Sequence, residues 1–246
     1  MSHKHDDLPQ TLRYLNLAFV AQHYESMAQE AARDHLSHRD YLHRLLSGEA
    51  AERYERSVQR RLKRARLPVL KTLDQFNWSW PAKINRAQIQ ELFRLRFIEQ
   101  PTNVVFIGGV GLGKTHLAIA LAHTACLQDV PVLFASAVDI VNNLSAAQAA
   151  NALPRSLKQY LLPRLLVIDE LGYLPMDKRG ADLLFQVISA RYERGSIIIT
   201  TNTAYKQWPR VFNNDATITS AVLDRLLHHC ETITLEGKSY RMKDKA

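Results

Sequence analysis

Near the middle of the chain, Gly108-Gly109-Val110-Gly111-Leu112-Gly113-Lys114-Thr115 has the spacing G-x-x-x-x-G-K-[ST]. Residues of these types in this order suit a nucleoside triphosphate. Small side chains let successive backbone N–H groups turn inward toward phosphate oxygens, and a helix starting near Gly113 would add the positive end of its dipole. Lys114 could then reach the β and γ phosphates, and the Thr115 hydroxyl could ligate Mg²⁺. The expected nucleotide-contacting set is Gly108, Gly109, Val110, Gly111, Leu112, Gly113, Lys114, Thr115 and His116. The plain alternative is a glycine turn that happens to precede a helix. A dinucleotide fingerprint fails on spacing, because after Gly109 and Gly111 its third glycine would fall at Lys114.

A second candidate group is Asp169-Glu170, which closes the apolar run Leu165-Leu166-Val167-Ile168. Paired carboxylates at the end of a buried strand can divide their work: Asp169 holding the Mg²⁺ shell, Glu170 polarising an attacking water. Beside a phosphate loop this reading outweighs that of a merely solvated strand end. A third apolar run, Ile197 to Thr201, delivers Asn202 to the same region, where an amide could orient the water. Alone, Asn202 would read as a turn residue.

These groups need a scaffold that brings strand ends together. Val104-Val105-Phe106-Ile107, Val132-Leu133-Phe134-Ala135, Leu165 to Ile168 and Ile197 to Ile199 alternate with helix-like segments, a pattern that predicts an α/β fold with a parallel sheet flanked by helices. Before it, Leu12, Leu15, Phe19, Leu42, Leu45 and Leu46 recur at helical spacing, and Ser37-His38-Arg39-Asp40 reads as a capped helix start. The expected layout is a small all-helical domain at 1–66, a connector at 67–84 and the nucleotide domain at 85–246. Phe76, Trp78, Trp80 and Pro81 in the connector read as core anchors, with packing near a nucleobase as the alternative. Two helices fit between Ala137 and Pro163, the second bearing Arg155 and Lys158.

Net charge is +8 and the isoelectric point near 9.6, which points toward an anionic polymer as partner. Placement says more than the total. Residues 1–52 carry five Lys/Arg against eight Asp/Glu, whereas 53–66 carry seven against one. On a helical wheel Arg53, Arg56, Arg60, Lys63 and Arg64 share one arc, with Val58, Leu62 and Ala65 opposite; Arg61 belongs to the same basic run. Such a stripe gives salt-sensitive, sequence-independent affinity for nucleic acid, although most charge runs are only solvated faces. Cys126 and Cys230 offer neither a disulfide framework nor zinc spacing. The ten histidines show no converging pattern, so no metal site is expected from them. No apolar run approaches a bilayer span and the first residues lack a signal-like apolar core, so the expected compartment is the cytoplasm.

The chain also resembles a known family. Gly-Lys-Thr-His-Leu-Ala at 113–118, Val-Ile-Asp-Glu-Leu-Gly-Tyr-Leu-Pro at 167–175, Leu-Leu-Phe-Gln-Val-Ile at 183–188, Arg-Tyr-Glu-Arg-Gly-Ser at 191–196, Leu-Asp-Arg-Leu-Leu-His-His at 223–229 and Ser-Tyr-Arg at 239–241 are similar to the IstB family. These are ATP-binding helpers of bacterial insertion sequences, related to the DnaC helicase loader within the AAA+ P-loop ATPases. The resemblance implies an ATPase using ATP and Mg²⁺ that forms a homo-oligomer through shared ATP sites on duplex DNA and directs a partner transposase. It assigns Lys114 and Thr115 to the Walker A pair, Asp169 and Glu170 to Walker B, and Asn202 to the sensor amide. Arg225 becomes the arginine reaching a neighbouring subunit's nucleotide and Arg241 a second sensor. By residue pattern alone, the favoured reading of Arg225 is a helix-surface ion pair with Asp224 or Glu231. The DnaC relation adds Arg155 and Lys158 as candidate DNA contacts, and Lys178 and Arg179 form another candidate pair. The nearest rival reading is a DnaC-type helicase loader.

Overall fold

A computed structural model describes residues 7–240, so Arg241 lies outside the described residues. The chain separates into two compact units, Met1–Arg60 and Arg61–Ala246. The connector residues thus fold with the second unit. Among the described residues no helix is long and apolar enough to cross a membrane.

The first unit is helical. Helix α1 spans Leu8–Tyr14, α2 Ala18–Arg33, and α3 His38–Ala65, whose last turn enters the second unit. The α3 start follows its local chemistry, since Ser37 Oγ accepts the Asp40 N–H at 3.2 Å. Leu12, Val20 and Leu45 form the small core, while Leu15, Leu42 and Leu46 are exposed. Helical spacing placed all of these leucines on apolar stripes, but a three-helix unit this small buries only the innermost residue of each stripe. The unit is held by a buried carboxylate. Glu49 accepts the Phe19 N–H at 2.9 Å and the Arg53 Nε–H at 2.8 Å. Burial pushes its carboxyl up, yet Arg53 and the backbone donors outweigh burial and hold it below the ordinary value.

The second unit is a five-stranded parallel sheet in the order β2-β3-β4-β1-β5. Helices α4 (Arg86–Leu92) and α5 (Arg96–Glu99) precede β1 (Asn103–Gly108) and α6 (Lys114–Leu127). Then come β2 (Val132–Ser136), α7 (Ala137–Ala149), α8 (Leu153–Leu161), β3 (Leu165–Leu171), α9 (Lys178–Arg191) and β4 (Ser196–Thr201). A short α10 (Trp208–Val211), α11 (Ala216–Leu227) and β5 (Cys230–Leu235) complete it. The helix-like stretch 85–100 is two helices, because Leu95 adopts a left-handed φ of 60°. Strand β5 carried no continuous apolar run: its Thr232 and Thr234 alternate with Ile233 and Leu235, as befits an edge strand beside β1. The central strands are buried on both faces and read as continuous apolar runs for that reason. Cys126 is buried under the sheet, and burial pushes its thiol up to about 11, which leaves it inert.

Arg191 ties the lower ends of β3 and β4 together. The residue is 2% exposed, and its guanidinium donates to the carbonyls of Tyr160, Pro163, Arg164 and Ser196 at 2.8–3.0 Å. Burial lowers its pKa to about 10. Gly195 is required beside it, since a Cβ there would lie 2.6 Å from the guanidinium. Arg191→Leu strips several buried carbonyls of their donor and is expected to cost about 3–5 kcal/mol, measurable as a lower urea midpoint.

Candidate functional site: a nucleotide-binding edge of the sheet

All five strands run parallel, so their C-terminal ends form one edge, where ligands of open α/β sheets gather. Gly108 ends β1, Asp169 lies near the end of β3, and Asn202 follows β4. The loop from Gly108 to Gly113 joins β1 to α6, whose N-cap is Gly113 at φ 91°. A left-handed residue is needed there, and a Cβ would also lie 2.6 Å from the Phe76 ring. Lys114 and Thr115 open the helix, at its positive end.

The polar groups of this edge converge on Asp169. The residue is 7% exposed, and its Oδ1 accepts the hydroxyls of Thr115, at 2.9 Å, and Thr200. The same Thr200 oxygen accepts the Glu170 N–H at 3.0 Å. Glu170 sits in a break of the β3–β4 register between Ile168 and Leu171 and adopts φ 58°. The extra residue turns its carboxylate away from the buried alternation of the strand and out to solvent at the sheet edge. Thr200 is a site residue that residue types alone did not single out. Its signal was a hydroxyl ending the all-apolar run Ile197-Ile198-Ile199.

Lys114 Nζ donates to the Gly108 and Gly109 carbonyls at 2.8 and 2.7 Å. It therefore lies over the loop, and phosphate oxygens would compete with those carbonyls for the ammonium. Beside the loop is a cavity of about 600 Å³, walled by Gly111 to Thr115 and by connector residues that include Phe76, Trp80 and Pro81, with Tyr240. Its size suits a nucleotide. The connector aromatics thus divide: Phe76 is a core anchor with Trp78 packed beside it, while Trp80 meets Tyr240 edge to face at 5.3 Å and donates Nε1–H to the Lys238 carbonyl at 2.8 Å. His116 also lines the cavity, but its Nε2 is 2.8 Å from the Thr72 carbonyl and its ring stands edge to face with Phe76. Those two contacts brace the connector wall of the cavity.

A glycine loop at a helix start, a buried Asp bridged to the helix by Thr115, and the strand order 2-3-4-1-5 agree with a family assignment that the sequence comparison settles. The profile of the IstB-like ATP binding protein family matches residues 10–246. The chain belongs to the IstB-like family. One relative, from Pseudomonas aeruginosa and named "Insertion sequence IS21 putative ATP-binding protein", is 40% identical over 97% of this chain and 90% of its own length. A counterpart from insertion sequence IS5376 of Geobacillus stearothermophilus, with the same form of name, is 38% identical over 94% of this chain and 92% of its own length. In fold, the DnaC helicase loader matches with a TM-score of 0.54 at 22% identity, over 67% of this chain and 96% of that one. AMPPCP-bound DnaA from Aquifex aeolicus matches at 0.58 and 19% identity, over 73% of this chain and 54% of that one. The architecture is that of an AAA+ P-loop domain with N-terminal helices.

Not every candidate residue of this IstB-like chain joins the edge. Asn202 does, exposed just past β4, with its Oδ1 accepting the Thr203 hydroxyl at 3.0 Å. Arg225 does not line the cavity. It sits on α11, donates to the Ala221 carbonyl at 2.9 Å, and lies 5.2 Å above the Phe185 ring, paired with neither Asp224 nor Glu231. On α3, Arg53 and Arg56 are engaged by Glu49 and Glu52, and Arg61 by Asp129 at 2.7 Å and the Cys126 carbonyl. Arg60, Lys63 and Arg64 are exposed. Arg155 and Lys158 are exposed on α8, and Lys178 at the start of α9. Arg179 instead bonds Gln148 at 2.7 Å and the Ser145 carbonyl, tying α9 to α7.

Proposed function

We propose that this protein is an ATP-hydrolysing, DNA-binding helper of insertion-sequence transposition that assembles on duplex target DNA and engages its partner transposase. The observation that carries the ATPase reading is the Thr115–Asp169–Thr200–Glu170 network at the sheet edge beside the phosphate loop. The loop N–H groups and the α6 N-terminus bind the triphosphate, and Lys114 neutralises its β and γ oxygens. The Thr115 hydroxyl and Asp169 carboxylate are already adjacent and hard in character, so they fit Mg²⁺, which would supply charge neutralisation of the phosphates. Glu170 receives the proton of the attacking water, and Asn202 orients that water. Arg225 lies away from its own subunit's cavity, which accords with action on a neighbour's nucleotide, where its permanent charge would complete the site. ATP binding would then favour the oligomer.

For DNA, the exposed Arg60, Lys63 and Arg64 are the core of the proposed contact, with Arg155, Lys158 and Lys178 as further candidates. Arg53, Arg56, Arg61 and Arg179 are left out because carboxylates, carbonyls or amides already hold them. Fluorescence anisotropy with random-sequence duplex and single strands, with and without ATP and Mg²⁺, tests the whole reading. Tight duplex binding that needs ATP is expected. A single-strand preference would instead favour the helicase-loader reading, and absence of binding would remove DNA from the function. Replacing Arg60, Lys63 and Arg64 together by glutamine is expected to weaken duplex binding and to flatten the slope of log K against log salt by about 2–3. An unchanged slope would move the contact elsewhere.

A further inference from the structure

The histidines of this chain carry no metal-binding spacing, yet the fold brings two of them to a carboxylate. His228 is the C-cap of α11 and His229 the residue before β5, and Glu193 lies in the turn after α9 at φ 56°. One ligand atom from each of Glu193, His228 and His229 lies within 4.8 Å of the other two. Glu193 Oε1 is 3.8 Å from His228 Nδ1 and 3.8 Å from His229 Nε2. The two imidazole rings lie side by side with centroids 4.1 Å apart.

We infer that Glu193, His228 and His229 form a binding site for a borderline transition-metal cation of the Zn²⁺ class, separate from the nucleotide's Mg²⁺ and independent of the ATPase reading. Two imidazole nitrogens and a carboxylate oxygen are the donor set such a cation prefers, whereas Mg²⁺ prefers oxygen and water. With metal–ligand bonds of about 2.0–2.1 Å, tetrahedral donors stand roughly 3.3 Å apart, so the two 3.8 Å gaps to Glu193 must close by about half an ångström, and the two imidazole donors, which lie within 4.8 Å of each other, by up to about 1.5 Å. All three side chains are more than half exposed and can make that adjustment. The same exposure leaves the remaining coordination positions to water. The Tyr192 hydroxyl, 2.7 Å from His228 Nδ1, competes for the nitrogen that faces Glu193, and the metal displaces it. The site sits at the end of the helix that carries Arg225, so an occupied site would pin that helix end to the α9–β4 turn.

The proposal differs from a simple surface network of His–Glu and Tyr–His contacts in its spectroscopic consequence. Co²⁺ titrated into the full-length protein should give visible d–d absorption of low coordination number, and Zn²⁺ should bleach it while Mg²⁺ does not. Replacing His228 and His229 together by Ala leaves a single carboxylate and is expected to abolish Zn²⁺ binding at this site, with one equivalent lost relative to the parent chain. Glu193→Gln, which keeps shape and both histidines, should weaken it by at least about tenfold. Tyr192→Phe should bind Zn²⁺ as tightly or more tightly, because it removes the competitor. No Co²⁺ band in the parent protein, or equal metal binding by the double variant and Glu193→Gln, would overturn the site.

Discussion

Glu170→Gln is expected to bind ATP as tightly as the parent chain and to hydrolyse it about 10²–10⁴-fold more slowly, the range supplied by a positioned general base. The substitution keeps volume and hydrogen-bonding reach but removes the group that takes the proton. It also leaves the local fold intact, since the anchor at that position is the backbone N–H on the Thr200 hydroxyl, not the carboxylate. The carboxylate itself is exposed at the edge, which is where an attacking water would stand. Single-turnover phosphate release together with fluorescent-nucleotide binding separates the two effects. Hydrolysis at the parental rate would assign the base elsewhere; weakened ATP binding without slowed chemistry would make Glu170 a binding residue. A slow-hydrolysing variant should also hold the ATP-dependent oligomer for longer, which analytical ultracentrifugation would detect.

Lys114→Ala should act one step earlier, weakening ATP binding by roughly ten- to a hundredfold, since a hydrogen bond to a charged group contributes about 1.5–3 kcal/mol. The ammonium now bonds the Gly108 and Gly109 carbonyls, so its removal does not leave a buried charge behind and the fold should survive. Circular dichroism and the urea midpoint check that condition. With ATP no longer retained, ATP-dependent assembly and ATP-dependent duplex binding should both disappear. Assembly unchanged in this variant would mean that the oligomer does not form around the nucleotide. The contrast between the two variants is informative in itself: Glu170→Gln should trap the ATP-bound form and Lys114→Ala should never reach it.

The phosphate loop, the Asp169-Glu170 pair and the first four strands were all legible because each is a local pattern. The loop works through contiguous backbone N–H groups, and strands buried on both faces must be apolar at every position. The fifth strand escaped because an edge strand of mixed polarity has no such run. Leucine spacing in the N-terminal unit gave helices correctly but exaggerated their burial, because periodicity reports which face is apolar and not whether another element covers it. Charge counting marked the α3 stripe, yet could not tell Arg60, Lys63 and Arg64, which are exposed, from Arg53, Arg56 and Arg61, whose guanidinium groups are engaged by carboxylates and carbonyls.

By itself, then, the sequence determined the family, the α/β architecture, the nucleotide loop and the carboxylate pair, since all of these rest on residues close together along the chain. Tertiary structure alone decided that Thr200 bridges Asp169 to the backbone of Glu170 and that Glu170 leaves the strand in a left-handed conformation. It also decided that Trp80 and Tyr240 meet beside the loop, that Arg191 gathers carbonyls from four residues, and that Glu193 faces His228 and His229. Apart from the Glu170 backbone angle, each of these joins segments distant in sequence. The packing of the sheet and its crossovers sets which of them meet, and no residue type or spacing along the chain encodes that distance.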